Sequence, residues 1–197
     1  QDLGSAGDIQ TAALCERIEG DLVFEPGLGV THVELPCLQV VEGSVEMTAN
    51  GAVQRLDMPA LVGVVDYLLI EENSDLIHLG VPSLQTVGSY LWITENPALT
   101  YFEMPSLYGV GSQIRIFCNE TLESFDLPDL VTTGLSLTVQ NNNALLSLDG
   151  LSNLESIGDI HIYANDVLPD LDGLESLETA LWHVNIQSNY GLTNMDG

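Results

Sequence analysis

The chain has 197 residues, 45% of them apolar, with 29 acidic residues against three arginines and no lysine, for a formal charge of −26. A field of that sign repels phosphate backbones and anionic lipid surfaces, which sets aside nucleic acid and direct membrane binding. No stretch approaches the roughly 18–20 consecutive apolar residues of a membrane-spanning helix, so cations and basic partners remain.

Residues 1–16 read as an N-terminal cap segment and 17–197 as a single repeat solenoid, whose register starts near Ile18. No secretory leader is visible at Gln1, as in a mature secreted protein or an excised fragment. The first coil is degenerate: Gly27 takes the place that asparagine holds later, with Leu22 and Phe24 before it and Val30, Val33, Pro36 and Leu38 after it. Cys15 and Cys37 fall on neighbouring coils at nearly equivalent positions, so a disulfide is expected to pin this coil and to mark an oxidising compartment. His32 and His78 read as isolated turn residues.

From there a structural ladder repeats: Asn50, Asn73, Asn96, Asn119, Asn142, Asn165 and Asn189, at spacings of 23, 23, 23, 23, 23 and 24. A fixed period of this size is the signature of a solenoid. Apolar residues sit five and three places before each asparagine, from Val45/Met47 to Val184/Ile186, which is strand alternation with two side chains inward. Further apolar positions follow three places after (Val53 to Leu192) and six places after (Leu56 to Met195), then a leucine usually two residues behind a proline, as in Pro59-Ala60-Leu61. No stretch keeps a helical period and the prolines recur, so each coil reads as strand and turn. The fold class is therefore mainly β, a parallel β-solenoid of about eight 23-residue coils. Its buried asparagines bond the backbone of their own and neighbouring turns.

The pattern Val87-Gly88 through Leu91, Ile93, Asn96, Leu99 and Phe102, with its echo from Ile157-Gly158 to Leu171, resembles the receptor L domain, a relative of leucine-rich repeats. That resemblance, covering residues 17 to 197, implies a right-handed solenoid of the kind used as ligand-binding lobes by growth-factor receptors and found in microbial or algal surface proteins. It carries over no ligand-contact residue.

Three features bear on function. Seven places after each asparagine position lie Glu34, Asp57, Gly80, Glu103, Asp126, Asp149, Asp172 and Asp196. Stacked carboxylates repel, so they are expected either to bond the following turn or to bind calcium, with Asp126, Asp149 and Asp172 as candidate ligands. Calcium is the one candidate cofactor. Outward strand positions gather Tyr67, Leu69, Tyr90, Trp92, Arg115, Phe117, His161 and Tyr163, and exposed aromatics rimmed by polar groups mark a ligand-binding patch. Asp159, His161 and His183 form a weaker candidate for zinc.

Cys118 precedes a ladder asparagine and is expected to point inward as a buried thiol. Asn119-Glu120-Thr121 is a glycosylation sequon on a ladder position, where no glycan is expected. No Ser-His-Asp context, phosphate loop or lysine supports an enzyme. Three scattered arginines do not make an acidic-sugar lyase, and Thr48, Thr94 and Thr138 do not make an ice-binding face.

The reading is a non-enzymatic, extracellular or cell-surface adhesion module that binds a protein or glycan through the aromatic face of its sheet. The alternative is a structural subunit of a filament or surface layer, with further copies stacking on the solenoid ends. Met195-Asp196-Gly197 stands where a coil like Leu148-Asp149-Gly150 would continue.

Overall fold

The computed structural model describes residues 2–194, so the expectations for Met195 and Asp196 lie outside the described residues. The chain winds into a β-solenoid of about eight turns with 23-residue spacing. Three parallel sheets run along it, of nine, eight and five strands. The nine-stranded sheet takes the strands flanking each asparagine: Val45–Thr48, Leu68–Glu71, Leu91–Thr94, Gln113–Phe117, Ser136–Gln140, Asp159–Tyr163 and Val184–Gln187 follow one another in register.

Alternation along these strands buries the expected ladders. Leu68, Ile70, Leu91, Ile93, Ile114 and Ile116 are at most 1% exposed. Each such side chain contributes on the order of 1.5–3 kcal/mol by leaving water. In the five-stranded sheet, Leu56, Leu79, Phe102 and Phe125 form the second inward row, the two phenyl rings stacked at 5.6 Å.

The asparagines are buried in one unbroken chain of hydrogen bonds. The Asn73 amide N–H donates to Asn96 Oδ1 at 3.1 Å, while its Nδ2 donates to Met47 O in the coil before and to Glu71 O in its own turn. The same pattern passes through Asn119 and Asn142 to Asn189. Each buried amide thus meets its needs from two adjoining coils, the condition for burying a polar row.

A left-handed residue precedes every asparagine: Ala49, Glu72, Glu95, Cys118, Asn141, Ala164 and Ser188 have φ between 54° and 57°. This corrects the expectation for Cys118. Strand alternation stops at Phe117 and the positive φ turns the thiol to the half-buried surface, where the Asn141 amide approaches it at 3.4 Å.

The first coil departs from the sequence reading in three ways. Leu28, not Gly27, fills the asparagine place, its amide donating to Asn50 Oδ1 at 2.9 Å, while Gly27 takes the left-handed position at φ +80°. Residues Ala6–Ala12 form a helix that the sequence reading did not anticipate, capped by Ser5, whose Oγ accepts from the Asp8 amide, and burying Ile9 and Ala12. The expected disulfide is absent, and Cys15 and Cys37 are free thiols. The pairing of Arg17 with Val40 sets Cys15 level with Leu38, one residue past Cys37, and the Cys15 thiol turns back toward Thr11 O at 3.6 Å.

Candidate functional site

The outward face of the nine-stranded sheet is built from three rows, because every second strand residue points away from the core. One row runs Tyr67, Tyr90, Gln113, Ser136 and Asp159. The middle row runs Leu69, Trp92, Arg115, Thr138 and His161. The third runs Glu71, Thr94, Phe117, Gln140 and Tyr163.

At one end of this face the aromatics pack on each other. Tyr67 and Tyr90 stack with centroids 4.5 Å apart and planes 7° apart, and Trp92 leans on Tyr90 at 4.4 Å. The Arg115 guanidinium lies between two rings, 4.5 Å from the Phe117 centroid and 5.7 Å from that of Trp92, a cation–π arrangement that fixes a long side chain. Burial raises the Tyr67 hydroxyl above its ordinary value and pushes Tyr90 up to about 12, with the neighbouring Tyr67 and the Asp66 carboxylate adding to the effect. Trp92 Nε1 is buried with no hydrogen-bond partner among the described residues.

Beyond Arg115 the face opens into a groove of about 310 Å³ lined by Arg115, Thr138, Gln140, Asp159, His161 and Tyr163, together with Gln113, Ser136 and Ile114. Its depth follows from side-chain length. Ser136 and Thr138 are short, and they lie between Gln113 and Arg115 on one strand and Asp159 and His161 on the other. The structure therefore brings Tyr67, Tyr90, Trp92, Arg115 and Phe117 into contact, and sets His161 and Tyr163 across the groove. Leu69 lies beside Trp92 on the adjacent strand.

The remaining candidates come together less well. His183 Nδ1 meets Asp159 Oδ1 at 2.7 Å, whereas His161 is level with Asn185. The carboxylate row loses its alignment after Asp126. That residue bridges to Gly150, so an extra residue in the turn carries Asp149 out of line. Asp172 starts a short 3-10 helix and its amide turns to Asp170. Among the described residues no group of three or more His, Cys, Asp or Glu is placed to hold a metal ion. Asn119 has its amide bonded to Ile93 O and is fully buried.

His32 and His78 are not isolated turn residues. They lie on strands either side of Arg55-Leu56-Asp57, and both ring Nε2 atoms stand 2.9 Å from the Asp57 carboxylate, one at each oxygen. Arg55 reaches the same carboxylate at 3.3 Å. The signal was present in the sequence, since His32, Arg55 and His78 share one position of the repeat, next but one to Glu34, Asp57 and Gly80.

Comparison with protein-family models, with curated proteins and with solved structures finds no significant match.

Proposed function

We propose that this chain is a non-enzymatic recognition module of the extracellular or cell-surface kind, similar in type to the receptor L domain, that binds a protein or glycan with the outward face of its nine-stranded sheet. The observation that carries this reading is Arg115. The other two arginines are spent on carboxylates, Arg17 on Glu42 and Arg55 on Asp57, but Arg115 forms no ion pair among the described residues and stands clamped between Trp92 and Phe117 at the edge of a groove. An ordered cation and half-buried aromatics on one solvent face are the features of a contact patch, since aromatics and arginine dominate binding hot spots. The L-domain comparison rests on the repeat pattern around Asn96 and Asn165. Extracellular placement rests on the acidic composition.

The test is the double variant Trp92→Ala/Phe117→Ala, applied to glycan arrays and intact cells. Binding should vanish while the melting temperature stays nearly unchanged, because both side chains lie outside the core ladders. Persistent binding places the contact elsewhere. Sedimentation over a range of concentrations separates the alternative of a filament or layer subunit, which would grow with concentration, from a module that stays small.

A further inference from the structure

The groove beside the aromatic column has a chemistry of its own. Gln113, Ser136, Thr138, Gln140, His161 and Tyr163 line it, and none of these side chains makes a hydrogen bond among the described residues. On neighbouring parts of the surface several polar side chains are committed: Thr94 to Glu71, Tyr67 to Glu46, Tyr101 to Glu103, Ser106 to Pro82 O. Here they converge unspent on a concave surface, with a fixed guanidinium at one wall and the Asp159 carboxylate, held by His183, at the other.

We infer that this groove binds an uncharged saccharide, one pyranose ring seated over Thr138. The inference rests on the recognition reading above. Three physical arguments select the occupant. The walls stand on strands two spacings apart, roughly 9–10 Å, which leaves room for a single sugar ring above the short Ser136 and Thr138. The lining mixes donors with acceptors: Arg115 donates only, Asp159 accepts only, and amides and hydroxyls do both. Vicinal hydroxyls, each donor and acceptor at once, answer that mixture. An anionic ligand would meet Asp159 at close range and a chain of net charge −26, so the charge selects against uronates and phosphates. An apolar peptide segment would strand the polar walls without partners. The aromatic column does not supply a stacking platform. Tyr67 and Tyr90 cover each other's faces and Arg115 lies against Trp92 and Phe117, so the column's part is to position Arg115.

The experiment titrates the chain with soluble gluco-, manno-, galacto- and xylo-oligosaccharides and, in parallel, with oligo-uronates, read by calorimetry and by ligand-detected NMR. At least one uncharged series should bind, with an affinity nearly independent of salt. Thr138→Trp, which fills the groove from a solvent-facing position, should weaken it at least about tenfold. Binding by no uncharged series, binding by uronates alone, or undiminished binding by Thr138→Trp each overturns the inference. The recognition reading fails separately. If Thr138→Trp leaves adhesion to cells intact while Trp92→Ala/Phe117→Ala abolishes it, the face is a binding surface but its ligand is not a sugar in the groove. If adhesion survives both variants, both readings fall.

Discussion

Asp57 Oδ1 lies 2.9 Å from His78 Nε2, and the contact depends on a missing side chain. Gly80 is level with Asp57 in the five-stranded sheet, where other coils carry a carboxylate. A Cβ there would stand 2.7 Å from Asp57 Oδ1 and 2.8 Å from His78 Nε2. Within the five-stranded sheet Gly80 alone interrupts the row of Glu34, Asp57, Glu103 and Asp126, and the gap is the space in which a histidine partner reaches the neighbouring aspartate.

Gly80→Ala should therefore expel the His78 ring from Asp57. The pair is partly exposed, so the cost should stay below about 1 kcal/mol. Adding His78→Ala to Gly80→Ala should then change stability less than His78→Ala alone does, because the contact has already gone. Urea denaturation of the three variants measures this, and strict additivity would show that Gly80 has no bearing on the contact.

Asn119→Ala removes an acceptor from the Asn96 amide and a donor from Ile93 O, both deep in the ladder. Each buried group left without a partner costs about 1–3 kcal/mol. The variant should unfold at markedly lower urea concentration, and hydrogen exchange at the Asn96 amide should accelerate beyond the change in global stability. Asn119→Asp keeps an acceptor but buries a carboxylate, so it should be worse than alanine at neutral pH and recover as acid neutralises it.

The contrast between what the chain reveals and what it hides follows from register. Ladders that repeat at one spacing announce themselves, which is why Asn50 to Asn189 and the inward rows around them are legible without coordinates. Where a coil gains a residue the count misleads. Asp149 reads as the neighbour of Asp126, but Gly150 occupies that place. A slip of one residue also sets Gly27 against Asn50, where Leu28 belongs, whereas Cys15 and Cys37 stand one place apart in an unbroken 23-residue register. The patch was legible as a set of outward aromatics. Its clamped arginine and the groove beyond it depend on side-chain lengths across three adjacent strands, which a row-by-row reading does not compare.

Alkaline pH should weaken the fold through two tyrosines. Burial, then a hydrogen bond to Glu103 and the charge of that carboxylate, pushes Tyr101 up to about 12 from its ordinary 10.0, and burial does the same for Tyr90. The folded chain holds these protons more tightly than the unfolded chain. Their contribution is therefore complete below pH 10 and lost as pH rises from 10 toward 12. Denaturation midpoints should fall across that window, and Tyr90→Phe should flatten the fall. A flat profile in the wild-type chain would contradict the assignment.

The left-handed residues before each asparagine offer a way to strengthen the solenoid. Ala49 and Ala164 hold φ of 55° and 54°, a conformation that costs an L residue with a Cβ about 1–2 kcal/mol. Glycine adopts it freely but loses more backbone entropy on folding, about 0.4–1 kcal/mol. The difference favours glycine, so Ala49→Gly and Ala164→Gly should each stabilise by about 0.5–1 kcal/mol, and their effects should add because the two turns lie several coils apart. The same change at Ala52, whose φ is not positive, carries the entropy loss without the relief and should destabilise. Thermal melts of the three variants decide it. If Ala49→Gly lowers the midpoint as Ala52→Gly does, the asparagine bonds on either side, not local backbone preference, set the energy of that turn.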